Sequence, residues 1–174
     1  MIAVAPRRRF LGLLPGLALL ARTGAAVAAG LEPWTGGATP PLALKTLAGT
    51  PFVLADQRGR TVIVNFWATW CAPCVAEMPA LQRLADRLAP RGVVAVAVNF
   101  QENAARIAPF VERLGVTLPV VRDHDGTVRA AWNVGVFPTT FVVGPDQRIA
   151  WVARGDVDWD DPQVESRIAS LGPR

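Results

Sequence analysis

Apolar residues along this chain form two kinds of pattern, continuous runs and helically spaced positions, and the two kinds alternate. Residues 61–67 and 92–100 are runs rich in β-branched and aromatic side chains, with the length of buried strands. Between them, residues 73–88 place apolar side chains every three or four positions, which predicts a helix. A shorter strand is predicted at residues 51–54. The order strand, helix, strand predicts two parallel strands joined by a right-handed crossover.

The second half of the chain repeats the alternation in a different order. Residues 104–114 have helical spacing and end before a glycine. Residues 139–143 and 148–153 flank a Gly-Pro-Asp-Gln tetrapeptide, which predicts a β-hairpin. Residues 161–171 are predicted to close the chain as a helix, with Asp at the N-cap and Pro at the first helical position. A βαβ unit followed by a ββα unit predicts an α/β fold with a mixed central sheet and flanking helices.

The two cysteines of the chain lie at the first predicted strand-to-helix turn, in Cys71-Ala72-Pro73-Cys74. Two thiols at i and i+3 on the first turn of a helix can close a small disulfide. The first sulfur lies at the positive end of the helix, where a thiolate is favoured. A pair so close in sequence cannot cross-link distant parts of a fold. We therefore predict a redox-active dithiol in a thioredoxin-like arrangement.

The sequence around this dithiol is similar to that of a known family. Residues 64–74, VNFWATWCAPC, with EMP at residues 77–79, resemble the TlpA/ResA/CcmG group of membrane-associated thiol–disulfide oxidoreductases. Residues 135–141, GVFPTTF, and residues 155–159, GDVDW, resemble two further segments of that group. The resemblance covers residues 41–171 and implies a thioredoxin-like fold with thiol–disulfide exchange activity. It is much less specific for the partner protein.

The N-terminus has the pattern of a secretory signal peptide. Three arginines at 7–9 precede an apolar stretch at 10–21, and Ala-Val-Ala places a cleavage site after Ala28. Two arginines followed by Arg-Phe-Leu also fit a twin-arginine signal, although proline stands where serine or threonine is usual. The alternative is an uncleaved membrane anchor, because residues 10–29 are about long enough to span a bilayer. Both interpretations predict a periplasmic or other extracytoplasmic location.

Removing the predicted signal, residues 1–28, changes what the charge of the chain indicates. The full chain has 18 basic and 14 acidic residues, but the signal holds four arginines and no acid, which leaves 14 of each. The basic excess belongs to the signal, so no nucleic-acid partner is predicted. We interpret residues 29–41, rich in glycine and proline, as a linker. Residues 42–174 have the size of one thioredoxin-like domain, which we expect to be a monomer.

The two cysteines are predicted to have different roles. Cys71 is the expected nucleophile, because it is the first of the pair and the more exposed at the turn, and Cys74 then resolves the mixed disulfide. Between them, Ala72 and Pro73 form the active-site turn. Pro73 lacks a backbone N–H, which should leave the Cys71 thiolate less stabilised than in strong oxidants. Proline in the first turn is also favourable for the helix itself.

Glu77 is a candidate catalytic residue on the same helix, three residues after Cys74. It matches a glutamate near the dithiol in the group that the chain resembles, and Asn65 stands where thioredoxin has a buried aspartate. The hypothesis is that Glu77 disfavours the cysteine thiolates by charge repulsion and moves a proton to or from Cys74. An acid near the start of a helix is also favoured by the helix dipole alone, and both explanations stay open.

Three further residues are predicted to bind the partner. The resemblance implies that Pro138 is a cis-proline facing the dithiol and that Phe137, before it, offers its backbone to an incoming peptide. Phe137 is bulky and apolar, which indicates an apolar partner surface, and simple core packing is the alternative. Trp70, next to Cys71, is expected to be partly exposed and to shape docking.

The residues and the resemblance together predict a reductant of disulfides in partner proteins. The expected substrates are apo-proteins such as a c-type cytochrome haem-attachment motif or a copper-site protein. A chain with two cysteines has no second dithiol, so the electrons are expected to come from a membrane donor of the DsbD/CcdA type. The redox-active disulfide between Cys71 and Cys74 is the expected redox group, and no organic cofactor is implied.

Other functions fit the same sequence less well. A disulfide oxidant or isomerase would use the same chemistry in another direction, and a Cu(I)-binding chaperone would use the two thiols as ligands. Copper-delivering proteins of this fold have three residues between the cysteines and a distant histidine, whereas here two residues separate them and His124 lies in a polar turn. A closed zinc site needs about four ligands, so no metal is predicted. A peroxidase of the peroxiredoxin type would need a threonine three residues before its cysteine, and neither cysteine has one.

Overall fold

The computed structural model describes residues 30–172 and contains, within them, eight strands and four α-helices. The strands are β1 (Glu32–Pro33), β2 (Ala43–Lys45), β3 (Pro51–Val53), β4 (Thr61–Trp67), β5 (Val93–Phe100), β6 (Val120–Asp123), β7 (Thr139–Val143) and β8 (Ile149–Arg154). The helices are α1 (Ala72–Leu88), α2 (Ala104–Arg113), α3 (Thr127–Ala131) and α4 (Pro162–Ala169).

Six of these strands form one mixed sheet in the order β1-β8-β7-β4-β5-β6. Strands β4, β5 and β6 run parallel, and the pairs β4–β7, β7–β8 and β8–β1 are antiparallel. Strands β2 and β3 form a separate hairpin, which meets β6 through a bridge between Thr46 and Val121. The predicted α/β class, with its mixed central sheet and flanking helices, is confirmed.

A hydrophobic core covers each face of the sheet, and β4 contributes to both. Ile63 and Trp67 point to the core shared with α1 and α4, whereas Val62, Val64 and Phe66 point to the opposite core. This alternation is the period of two that a strand imposes. Because both faces are covered, every residue of β4 is buried, which explains why its sequence is a continuous apolar run with a single amide in it.

The structure adds three strands, β1, β2 and β6, and one helix, α3, that the pattern does not predict. The carboxylate of Asp123 is buried at the end of β6 and accepts the backbone N–H groups of Val128, at 3.1 Å, and Arg129, at 2.7 Å. The polar segment that follows β6 is therefore the connection to α3, and His124 is exposed within it. Short elements of four and five residues give too few positions for a period to be recognised.

The interpretation of residues 29–41 as a linker is wrong for the part that the structure describes. Strand β1 pairs with β8, and Leu31 is fully buried in the main core. The backbone N–H of Trp34 donates to the carbonyl of Ala150 at 2.9 Å, and the Trp34 ring packs edge-on against Phe141. Glycine and proline limit this segment to a two-residue strand, but its large apolar side chains hold it on the domain.

The predicted signal peptide lies outside the described residues. Within residues 30–172, none of the helices combines the length and the apolar character needed to cross a membrane. The chain enters the described fold at Gly30, where a Cβ atom would come within 3.1 Å of Val157. The first residues of the segment therefore pack against the loop that follows β8.

We predict that Leu31→Ala lowers the free energy of unfolding by about 2–5 kcal/mol, because it removes a fully buried apolar side chain and leaves a cavity in the core. Denaturant unfolding at neutral pH measures the change. The control is Thr35→Ala at an exposed position of the same segment, which should stay within about 0.5 kcal/mol of the wild type. Equal stability of the Leu31→Ala and control proteins would contradict the packing of this segment on the domain.

Candidate active site

The dithiol lies at the turn between β4 and α1, and its two cysteines are joined in a disulfide. The sulfurs of Cys71 and Cys74 are 2.06 Å apart and their Cα atoms 5.3 Å apart. Cys71 is the N-cap of α1, and its Sγ accepts the backbone N–H of Cys74 at 3.3 Å. Cys71 is 5% exposed and Cys74 is fully buried, which is the predicted order of accessibility. The sulfur available to a partner is therefore that of Cys71.

Ala72 and Pro73 form the exposed outer side of the first helical turn. Since Pro73 carries no N–H, the donor that reaches the Cys71 sulfur is the backbone N–H of Cys74, one residue further along. In the first turn of the helix, the backbone N–H of Cys74 is thus the donor that points at this sulfur. This arrangement places the cysteine at the positive end of the helix, as the sequence indicates.

Strand β7 brings Pro138 to the same edge of the sheet. The Phe137–Pro138 peptide bond is cis, as the resemblance implies. In the β4–β7 pair Phe66 lies opposite Thr139, so Pro138 comes just before the residue opposite the end of β4. Its carbonyl accepts the N–H of Gly155 at 2.9 Å, which ties the loop after β8 to the site.

An aromatic row extends from the dithiol across the surface, through Trp70, Phe137 and Phe100. Trp70 is 59% exposed, and its ring meets the half-buried ring of Phe137 edge-on at 5.7 Å. Phe137 contacts the ring of Phe100 at 5.4 Å, and the guanidinium of Arg129 lies over Phe100. Phe137 thus packs against neighbouring rings and also contributes to an apolar surface beside the disulfide.

Glu77 is buried beneath the disulfide turn and hydrogen-bonded on both carboxylate oxygens. It is 6% exposed, on the same helix face as Cys74 because the two residues are three apart. Its Oε1 accepts the amide Nδ2 of Asn65 at 2.8 Å, and its Oε2 accepts the backbone N–H of Val157 at 3.1 Å. The same Nδ2 lies 2.9 Å from the hydroxyl of Thr140.

Burial raises the pKa of Glu77 from 4.5 to about 7, even though the hydrogen bonds from Val157 and Asn65 favour the ionised form. The charge of Asp156 raises the pKa further. Glu77 also lines a cleft of about 290 Å³ together with Pro73, Asp156 and Asp158, which gives the carboxyl a route to solvent. A carboxyl with a pKa near neutrality can both accept and release a proton at physiological pH.

A second buried carboxylate, Glu102, holds the other side of the active-site turn. It accepts the hydroxyl and the backbone N–H of Thr69, and the Nδ2 of Asn99 at 2.8 Å. The guanidinium of Arg106 lies 2.8 Å from its Oε1 and also donates to the Thr69 hydroxyl. Glu102 thereby fixes Thr69, two residues before Cys71, to the end of β5.

The environment of Glu102 lowers the pKa of its carboxyl, whereas that of Glu77 raises the pKa of Glu77. Burial alone would raise its pKa, but the hydrogen bonds from Thr69 and Asn99 and the charge of Arg106 lower the pKa of Glu102 below its ordinary value. The local sequence pattern does not point to Glu102 as a residue of the site. A usable signal exists, because the carboxyl ends of parallel strands β4 and β5 meet at one edge, and Glu102 follows β5 as the dithiol follows β4.

The structure brings the eight residues predicted for the site to one edge of the sheet. These are Trp70, Cys71, Ala72, Pro73, Cys74, Glu77, Phe137 and Pro138. Within residues 30–172 there is no group of three or more His, Cys, Asp or Glu side chains placed to hold a metal ion. The site that emerges consists of a disulfide, a buried carboxyl and an exposed aromatic row.

We predict that Glu77 makes the folded protein less stable as the pH rises from about 4.5 to about 7. In that window the folded state keeps a proton that the unfolded chain has lost, so stability falls by roughly 3 kcal/mol in total and is then constant. Glu77→Gln should remove this decline. Unfolding free energies of the oxidised proteins at pH 4 to 9, with exposed Glu112→Gln as the control, measure the difference. A wild-type minus Glu77→Gln difference that does not change with pH would contradict the raised pKa.

Comparison with known proteins gives the same assignment as the geometry. The AhpC/TSA family model matches residues 35–152. The thiol–disulfide oxidoreductase ResA of Geobacillus kaustophilus is 36% identical over 138 residues, 79% of this chain and 78% of the relative. ResA of Bacillus subtilis is 37% identical over 131 residues, 75% of this chain and 73% of the relative.

A solved structure extends the comparison to three dimensions. A secreted Mycobacterium tuberculosis disulfide oxidoreductase homologous to E. coli DsbE superimposes with a TM-score of 0.66 at 26% identity. The match covers 75% of this chain and 96% of the solved one. The disulfide at the start of α1, the cis-proline beside it and these similarities agree, and the chain belongs to the AhpC/TSA family as a thioredoxin-fold thiol–disulfide oxidoreductase of the ResA type.

Proposed function

We propose that this oxidoreductase works outside the cytoplasm as a reductant of disulfides in partner proteins. The observation that supports the proposal best is the burial of Glu77, with a pKa near 7, on the helix face of Cys74. An oxidant gains its driving force from a strongly stabilised thiolate in the reduced form. A carboxylate beside the pair works against such stabilisation, because like charges repel.

The reaction begins with the reduced dithiol. The Cys71 thiolate attacks one sulfur of the partner disulfide, a Cys71–partner bond forms, and the partner's own S–S bond breaks. The leaving sulfur departs as a thiolate and takes a proton from solvent. In the second half, the Cys74 sulfur attacks Cys71, the mixed disulfide breaks, and the second partner thiol is released. The partner gains two electrons and two protons, and the product is the Cys71–Cys74 disulfide.

Glu77 acts in the second half of this sequence. The Cys74 thiol is fully buried, so it needs a nearby base before it can attack. The ionised Glu77 carboxylate takes that proton, and the cleft beside Asp156 and Asp158 lets it return the proton to solvent. When the protein is re-reduced, the same carboxyl protonates the departing Cys74 sulfur.

The partner docks on the aromatic row. The exposed face of Trp70 and the half-buried ring of Phe137 offer an apolar surface next to the Cys71 sulfur. The backbone before Pro138 accepts an extended segment of the partner in a short β-like pairing. Apolar residues next to the target disulfide would therefore be favoured.

Both the substrate and the electron donor are proteins in this proposal. The substrates are apo-proteins whose cysteines must be reduced before a cofactor is attached, such as a c-type cytochrome haem motif or a copper-site protein. The two cysteines of the chain supply one electron pair per turnover, so a membrane dithiol donor of the DsbD/CcdA type restores them. The protein acts as a monomer, with its own disulfide as the redox group and no organic cofactor.

A trapping experiment tests the exchange mechanism and identifies the partner. Cys74→Ala leaves the nucleophile but removes the resolving thiol, so we expect a covalent adduct with the substrate that is released by dithiothreitol. The double variant Cys71→Ala/Cys74→Ala is the control and should capture nothing. If Cys74→Ala forms no adduct although it is folded and exported, the exchange mechanism is wrong.

The reduction potential of the Cys71–Cys74 couple tests the direction of the reaction. We expect a value near or below about −230 mV, on the thioredoxin side of the known range. Equilibration with glutathione or dithiothreitol buffers, followed by thiol alkylation, measures it. A value near about −120 mV would place the protein with the oxidants and overturn the reductant assignment.

A further inference from the structure

The side chain of Asn65 is fully buried in β4, and within the described part of the chain only one end of its amide has hydrogen-bond partners. Its Nδ2 lies 2.8 Å from Glu77 Oε1 and 2.9 Å from the Thr140 hydroxyl. Its Oδ1 is buried and has no hydrogen-bond partner among residues 30–172. A buried acceptor without a partner destabilises the folded state, so the amide occupies this position at an energetic disadvantage.

Both neighbours of the amide can change from acceptor to donor. An ionised carboxylate only accepts hydrogen bonds, but a protonated one also donates, and a hydroxyl rotates to do either. A half-turn of the Asn65 amide exchanges Oδ1 and Nδ2 with little change of shape. After that turn, Oδ1 would accept from a protonated Glu77 and from the Thr140 hydroxyl at the same time.

The second oxygen of Glu77 determines where its proton goes. Oε2 accepts the backbone N–H of Val157 at 3.1 Å, and a backbone N–H remains a donor in every protonation state. The proton of the neutral carboxyl therefore belongs on Oε1, directed at Asn65. With the amide in its present orientation, that proton would face an N–H donor.

We propose that Asn65 is a positioning residue that serves both protonation states of Glu77, by rotating its amide through a half-turn whenever Glu77 gains or loses its proton. The inference rests on the proposed function of Glu77 as the base for Cys74. The amide itself neither takes nor gives a proton. It keeps the carboxyl hydrogen-bonded in one place while the proton moves between Cys74 Sγ and Glu77 Oε1.

The surroundings of Glu77 leave Asn65 as the group that must adapt. The charged groups near the carboxyl are Asp156 and Asp158 in the loop that lines the cleft, whereas Cys71 and Cys74 are joined in a disulfide and do not titrate. Strands β4 and β7 contribute the neutral Asn65 and Thr140, and the loop adds the indole of Trp159, a donor that favours the ionised carboxylate. Since burial raises the pKa of Glu77 to about 7, both of its protonation states are populated near neutral pH.

Asn99 provides a control within the same molecule. It is also fully buried in a strand, and its Nδ2 donates to a buried carboxylate, Glu102. Its Oδ1 likewise has no partner among the residues that the structure describes. The pKa of Glu102 is lowered by its hydrogen bonds and by Arg106, which outweigh the effect of burial, so this carboxylate stays ionised. The same amide–carboxylate geometry thus occurs once with a carboxyl that titrates near neutrality and once with one that does not.

Nuclear magnetic resonance of the oxidised protein, labelled with ¹⁵N-asparagine and carboxyl-¹³C-glutamate, tests the proposal between pH 5 and 9. We expect the Asn65 side-chain amide signals to titrate together with the Glu77 carboxyl carbon, with a midpoint of about 7. Above the midpoint, the Asn65 amide protons should show Overhauser contacts to Glu77 and Thr140, and below it these contacts should be lost. The Asn99 amide should not change. Retention of the Asn65 contacts at both ends of the titration, or the absence of a Glu77 titration in this range, would overturn the proposal.

Glu77→Gln separates this inference from the proposed function. In that variant the Asn65 amide should keep one orientation from pH 5 to 9, since nothing beside it titrates. The rate at which the Glu77→Gln protein exchanges with a model disulfide, followed from pH 6 to 9, tests the role of Glu77 as a base independently. Unchanged exchange rates together with a titrating Asn65 in the wild type would refute the catalytic role of Glu77 and leave the coupling of the amide to the carboxyl established.

Discussion

Strand β4 pairs with β7 in an antiparallel register that sets Asn65 opposite Thr140 and Phe66 opposite Thr139. In this register, the end of β4, which leads into the disulfide turn, lies next to the start of β7, which Pro138 immediately precedes. It also keeps Asn65 on the sheet face that α1 covers. A slip of one residue would turn Asn65 to the opposite core, away from Glu77. The chemistry of the site therefore depends on a register that is set by the apolar side chains on both faces of the sheet.

The two carboxylates beside the dithiol show how hydrogen bonding and burial compete. Glu102 receives hydrogen bonds from Thr69 and Asn99 and lies next to the cation of Arg106, so its negative charge is stabilised. Glu77 receives hydrogen bonds from Asn65 and Val157 but, among the described residues, has no cation beside it, and its desolvation prevails. One carboxylate is thus a permanent anchor for the turn, and the other changes its charge in the range where thiols react.

The sequence predicts the parts of the fold and site that are local and periodic. Strand β4, helix α1 and the dithiol between them follow from a long apolar run, a helical period and the spacing of the cysteines. The burial of Glu77 does not follow in this way, because the loop that donates the Val157 N–H lies 80 residues further along the chain. Glu102 is missed for a related reason, since its role depends on the parallel pairing of β4 with β5. Contacts made across strand ends require a known register, which a single sequence does not provide.

The pairing of β1 with β8 also brings the first described residues to the edge of the sheet that carries the disulfide. In that pair Glu32 lies opposite Val152, so the chain enters from the side of Arg154, the end of β8 that lies opposite Thr139 at the start of β7. Gly30 packs near Val157, whose N–H reaches Glu77. The first residues of the described chain therefore lie at the redox edge of the sheet, although they are far in sequence from the motif that carries the dithiol. A substitution at Gly30 would press on Val157 and, through its N–H, disturb the carboxylate that serves Cys74.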